Sequence, residues 1–268
     1  MTLISRNKFL TIFCIGCGII LISILSLFAY KFFTHSPMNL PDNFSFENFS
    51  VKKLLFSSYT IFPIIAISFL GTFALITSCL IKYSFEKTQS PEIIYFIGFL
   101  FGCLLETTRL LIPILNLWTS YSIATIFIGK AVFTGRLTVV FSLLFASIFP
   151  RDAQNQEPER NLLFIFIFSL IFAVFIPIDS GTIRSSVMPQ IGFNTLFICI
   201  FSFIFVLSCV SLFFTERKKL LIPYMMLILG YIFLVFSSNL ILLILGIVLS
   251  TYGAYSYLGK IHTHYLWS

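Results

Sequence analysis

Apolar residues fall along this chain in eight long blocks, separated by short stretches that carry charge, proline or paired serine and asparagine. A helix that crosses a bilayer needs roughly 20 predominantly apolar residues. The blocks lie at about 9–32, 59–81, 93–117, 122–149, 162–178, 191–214, 220–236 and 240–258. Breaks between them include Lys82-Tyr-Ser-Phe-Glu-Lys87, Pro150-Arg-Asp152 and Thr215-Glu-Arg-Lys-Lys219, and the shortest is Ser237-Ser-Asn239. Joining the two blocks around that last break would leave about 39 residues in one helix, far beyond bilayer thickness, so two helices and a tight turn are expected. The pattern predicts an all-α polytopic membrane helix bundle of about eight transmembrane helices. Residues 1–58 form an anchor helix with an outer-face loop, and residues 59–268 a seven-helix membrane domain with a short cytoplasmic tail.

Composition supports that reading. Of 268 residues, 58% are hydrophobic, 10% are charged and 35 are phenylalanine. Soluble domains carry roughly 25% charged residues, and low hydrophobicity is the mark of disordered chains. Both classes are excluded, and the bilayer is the expected partner.

The net charge of +7 is accounted for by orientation, through the enrichment of Lys and Arg in cytoplasmic loops. With the N-terminus inside, the inner face holds Arg6, Lys8, Lys82, Lys87, Arg151, Arg160, Arg217, Lys218, Lys219 and Lys260, and the outer face only Lys31, Lys52, Lys53 and Arg184. Both termini are therefore expected on the cytoplasmic side of the cell (inner) membrane. The largest basic cluster, Arg217-Lys-Lys219, suits anionic lipid headgroups, and no nucleic-acid partner is expected. The first block is longer than the roughly 7–15 apolar residues of a signal peptide, so an uncleaved anchor is expected.

Motif chemistry is sparse. Cys14-x-x-Cys17 has redox or metal spacing, but Cys14, Cys17, Cys79, Cys103, Cys199 and Cys209 all fall within blocks, where a thiol packs as a small apolar residue. His262-Thr-His264 reads as a flexible tail, and no metal or cofactor is expected. The chain contains no P-loop, dinucleotide fingerprint or H-E-x-x-H, and no G-x-S-x-G.

Ionisable residues inside spans are costly and mark function. The third block holds Glu106 and Arg109, and the fourth Lys130 and Arg136. Gly98, Gly102, Glu106, Arg109, Pro113 and Asn116 follow at intervals of three and four, forming one stripe on a helix face. Its glycines are expected to let neighbouring helices approach closely. Glu106 and Lys130 each lie 12 residues from Trp118, roughly 18 Å along a helix. Glu106 is therefore expected to be buried against Lys130, Arg109 or both, with snorkelling toward the outer interface as the alternative for Lys130. Two readings fit these four residues. One is an ionic clasp that fixes helix packing; the other is an anionic ligand pocket made by Glu106, Arg109, Lys130 and Arg136, since three cations exceed one carboxylate. A second polar cluster, Pro177-Ile-Asp179-Ser-Gly181 through Pro189-Gln190, is expected to form an outer turn.

One anchor helix followed by seven helices that end inside resembles the seven-helix membrane domains of bacterial sensor proteins. Lys87-Thr-Gln-Ser-Pro-Glu92 and Glu106-Thr-Thr-Arg109 are similar to motifs of such stand-alone domains, and the resemblance covers about residues 59–258. It implies ligand perception rather than catalysis, with output through a separate cytoplasmic or membrane protein partner. A small-solute or anion transporter and an assembly subunit of a membrane complex are the competing classes. Glu106-Thr-Thr-Arg109 also resembles part of the acidic motif of CAAX-type prenyl proteases. The second adjacent Glu and the intramembrane histidines of that family are missing, so no catalytic residue is assigned.

Overall fold

The computed structural model describes residues 3–33, 60–86, 90–118, 122–148, 157–184, 186–214 and 218–266. Its helices are α1 (Leu3–Phe33), α2 (Ile61–Ser84), α3 (Pro91–Ile114), α4 (Ile123–Ile148), α5 (Pro158–Phe175), α6 (Asn194–Phe214), α7 (Lys218–Val235) and α8 (Leu240–Leu266). All eight are long and apolar enough to cross a membrane. The protein is an all-α, multi-pass membrane bundle, in which eight crossings bring the chain back to the end where it began. That terminal end is tied together by side chains donating to main-chain oxygens. Arg6 Nη2 donates to the carbonyls of Phe85, at 2.5 Å, and Glu86, at 3.1 Å. Lys260 Nζ donates to Lys219 O at 2.6 Å. Phe85 and Glu86 follow the C-terminus of α2, where carbonyls lack helical partners, and Lys219 O lacks one because Pro223, four residues on, has no N–H.

The solvent dictates what faces outward. On α5 and α6 large apolar side chains such as Phe164, Phe175, Phe203 and Phe214 are exposed, an arrangement that water would punish and lipid does not. Hydroxyls turn back onto their own helices, as Ser169 does to Ile165 O at 2.7 Å and Ser208 to Ile204 O at 2.8 Å. Inside, α7 packs along α8, and α4 packs along α3. α3 is the most enclosed helix, which is why its polar stripe needs internal partners.

The turn between α7 and α8 falls at Ser237-Ser-Asn239, where the sequence places it. Three boundaries differ from expectation. α5 stops at Phe175, and the polar stretch beyond it pairs as an antiparallel hairpin of β1 (Ile178–Arg184) and β2 (Met188–Ile191). The register joins Ile178 to Ile191 and Arg184 to Met188, shifting between Asp179 and Ile183. Pro177 cannot donate a main-chain hydrogen bond and so ends the helix, while its carbonyl accepts from Gly192 N at 2.9 Å, closing the hairpin base. At the other end of the chain α8 continues as helix through Leu266, so His262 sits on a helix rather than in a flexible tail. Its ring packs edge-on against Phe85 with centroids 5.3 Å apart, and this contact holds the last turns. α1 starts six residues earlier than the apolar block, at Leu3, and in this added stretch Arg6 finds acceptors just past the end of α2. The expected outer loop, including Lys52 and Lys53, lies outside the described residues, as do Lys87, Arg151 and Arg217.

Candidate functional site

Within α3 the helix tightens. It is α-helical over Pro91–Glu106, becomes a 3-10 turn at Thr107–Leu110 and ends in one α turn, Leu111–Ile114. The sequence explains the break. Pro113 has no N–H for the carbonyl four residues earlier, which belongs to Arg109. Thr107 and Thr108 add to this by donating back to Leu104 O at 2.5 Å and Leu105 O at 2.7 Å. Three residues per turn then stack positions three apart, so Glu106 and Arg109 stand directly above one another. Asn116 does not extend the stripe. It lies past the helix end with φ 53°, and Leu117 N reaches back to Ile112 O at 3.0 Å, so Asn116 supplies the left-handed residue that stops the helix.

Gly98 and Gly102 bring α4 close. A Cβ at Gly102 would lie 2.6 Å from Gly135 O and 2.5 Å from Val139 Cγ2, and one at Gly98 would meet the Ser142 side chain and Leu162. The two backbones therefore touch at Gly102 and Gly135. Glu106 is one turn beyond Gly102, and Arg136 follows Gly135. In antiparallel helices each Cα–Cβ bond leans toward its own N-terminus, so the Glu106 and Arg136 side chains converge.

The result is a buried cluster. Glu106 and Arg109 are both 0% exposed. Arg109 Nη1 meets Glu106 Oε2 at 3.0 Å, Arg136 Nε meets Glu106 Oε1 at 2.7 Å, and Tyr231 of α7 donates its hydroxyl to the same Oε1 at 3.3 Å. Arg109 also donates to main-chain carbonyls: Nη1 to Val235 O at 3.4 Å, Nε to Val187 O at 3.4 Å, and Nη2 to Ser186 O. Val235 ends α7, where carbonyls lack helical partners, and Ser186 and Val187 form the hairpin turn. Val187 is held at φ 55°, uncommon for a β-branched residue, and this bend turns two consecutive carbonyls onto one guanidinium. Arg109 thus joins α3, α7 and the hairpin.

Of the residues expected to form an anion pocket, the structure brings Glu106, Arg109 and Arg136 together. Lys130 goes elsewhere: its Nζ donates to Val174 O at 2.9 Å, on the last turn of α5. The reason is rotation. Lys130 precedes Gly135 by five residues, about 140° around the helix at 100° per residue, so it points away from α3 and toward α5. Depth alone suggested Lys130 as the partner, and the glycine pair sets the rotation that selects Arg136. Tyr231 and the main-chain acceptors had no local signature. Among the described residues no group of three His, Cys, Asp or Glu side chains is placed to hold a metal. The free Cys14 thiol lies against the free Cys79 thiol of α2, with the two Sγ atoms 2.8 Å apart.

Compared with known proteins, the chain matches no family, no curated sequence and no solved structure.

Hydrogen bonding leaves the two arginines unequal. Arg109 spends its donors on one carboxylate oxygen and three carbonyls. Arg136 makes one hydrogen bond, through Nε, and its guanidinium carbon lies 5.7 Å from the Phe236 ring centroid. Its Nη groups have no hydrogen-bond partner among the described residues. One carboxylate faces two guanidiniums, so the cluster carries one surplus positive charge, and the open donors place it at Arg136. This residue lines a cleft of about 260 Å³ between α4, α6 and α7.

Proposed function

We propose that this multi-pass membrane protein is a receptor-like seven-helix module, which perceives an anionic ligand at the Glu106 cluster and signals through a separate protein. The observation that carries the reading is the imbalance between the arginines. Arg109 is committed to four acceptors, whereas Arg136 offers unused donors and a surplus charge in a partly enclosed cleft. A buried charge without a counter-charge is costly, so an anion at Arg136 is favoured. Such an anion competes with Glu106 for the Arg136 guanidinium. Glu106 also holds Arg109, which ties the hairpin to α7, so a change at Arg136 reaches three elements. The distribution of Lys and Arg supports both termini in the cytoplasm, and the resemblance to bacterial sensor domains supports an inner-membrane location. The output partner then docks near residues 217–219 or 82–91.

The test is thermal unfolding of the purified protein with a panel of acetate, phosphate and laurate. At least one anion is expected to raise the midpoint, since a ligand that binds only the folded state stabilises it, and Arg136→Gln is expected to abolish the shift. No shift with any anion overturns the reading. An anion transporter is the second reading, favoured by the interrupted α3 helix beside the charges, because broken helices build transporter sites. Anion uptake into vesicles that depends on Arg136 would decide for transport, and Arg136-dependent binding without uptake for perception.

A further inference from the structure

The Arg136 cleft is apolar almost throughout. From Arg136 and Tyr231 it follows α7 to Tyr224, seven residues or about 10 Å along the helix, between Leu143 of α4, Ile204 of α6 and Ile228 of α7. Exposed lining residues on α6, Ile198 and Val206, open one side of it toward lipid. A small hydrated anion would satisfy the Arg136 donors but would leave these walls facing water or empty space. A site built this way pairs one cationic end with an oily channel. We propose that the ligand is a single-chain anionic amphiphile, a fatty-acyl carboxylate or an alkyl phosphate. Its head sits on the free Nη donors of Arg136 and its tail lies along α6 and α7 toward Ser208 and Tyr224, entered from the bilayer between those two helices.

Charge complementarity and shape each exclude simpler occupants. An uncharged lipid tail would fill the walls but leave the surplus charge, and a small inorganic anion would do the reverse. A bidentate contact from a planar guanidinium suits a carboxylate or phosphate group. The proposal rests on the anion-perception reading and adds the chain.

The experiment uses the full chain in phosphatidylcholine nanodiscs, with laurate, dodecanol, dodecyl phosphate, acetate and inorganic phosphate as probes. Laurate or dodecyl phosphate is expected to raise the unfolding midpoint at concentrations at least tenfold below those at which acetate or phosphate acts, with dodecanol ineffective. The better of the two long-chain anions identifies the headgroup. Arg136→Gln is expected to weaken the long-chain effect at least tenfold. Ile228→Trp, which fills the tail space and leaves the cluster, is expected to remove the long-chain effect and keep the acetate or phosphate effect. Laurate carrying a photoreactive group at its tail end is expected to label α6 and α7 around Ser208 and Tyr224. Small anions acting as well as long-chain ones through Arg136 would overturn this inference and leave the perception reading standing. No Arg136-dependent effect of any anion would overturn both, and labelling confined to the hairpin end near Asn194 would overturn the tail direction.

Discussion

Glu106 is the residue on which the interior turns. Two guanidiniums and a phenol donate to its fully buried carboxylate, so removing it leaves two like charges side by side. Breaking a buried pair by deleting one partner costs about 3–5 kcal/mol. Glu106→Ala is expected to lower stability by about that amount, read as a shift in the midpoint of denaturant unfolding in micelles. The arginines should differ in a way that their shared chemistry does not predict. Either Arg109→Gln or Arg136→Gln leaves a neutral Glu–Arg pair, but only Arg109→Gln strands the carbonyls of Ser186, Val187 and Val235. Unmade buried hydrogen bonds cost about 1–3 kcal/mol each, so Arg109→Gln is expected to be the more damaging by at least about 1 kcal/mol. Equal effects would contradict the assignment of donors. Lys130→Met, at a residue that holds only the α5 carbonyl of Val174, is expected to stay within about 0.5 kcal/mol of the parent protein.

Helices meet here through gaps left by missing side chains, and their spacing controls the cluster. Gly102→Ala adds a Cβ 2.6 Å from Gly135 O, so α3 and α4 must move apart. Overpacking of this kind costs about 1–3 kcal/mol, and the same separation lengthens the Glu106–Arg136 contact. Gly16→Ala, where nothing lies within 4 Å of the added atom, is expected to be neutral in the same unfolding assay. Along α1 and α2, the Cys14 and Cys79 thiols are close enough to be joined by an added oxidant. Copper–phenanthroline treatment is expected to link them within one chain. Cleavage in the segment between the two helices would then leave fragments that separate on a gel only after reduction.

How much of this was legible in the sequence depends on what each feature reads. The spans were legible, because length and apolarity are the bilayer's own requirements. Glu106 and Arg109 stood out because an ionisable group in hydrocarbon has no bland explanation, and Gly98 and Gly102 because of their place on that stripe. Arg136 was within the candidate set, but its pairing was hidden, since a depth count ignores the rotation that the Gly102–Gly135 contact imposes. The hairpin partners of Arg109 were illegible for a deeper reason. They are main-chain carbonyls, which every residue has, so no side chain announced them.

At the scale of the whole molecule, the chain is a bundle whose outer surface is apolar, and two groups of polar contacts among the described residues tie its helices together. One is the terminal end, where Arg6 and Lys260 hold α2 and α7; the other is the cluster below the hairpin. Eight crossings place the segments near Glu86 and Lys218 on the same side of the membrane as the N-terminus. With that side in the cytoplasm, as proposed, single cysteines introduced at those two positions into a cysteine-free variant are expected to resist a membrane-impermeant maleimide in intact cells and to react after lysis. Labelling in intact cells would overturn the proposed orientation.

The clasp between Arg109 and the hairpin turn has a genetic consequence. Its acceptors are the carbonyls of Ser186 and Val187, so recognition depends on where the backbone goes and not on which side chains it bears. At Ser186 the turn is thus free to change its letter, whereas buried Val187 is not, and the turn cannot change its length. In a mutational scan, replacements at Ser186 should survive across most residue types, whereas one codon inserted or deleted between Ile183 and Met188 should be as harmful as losing Arg109 itself.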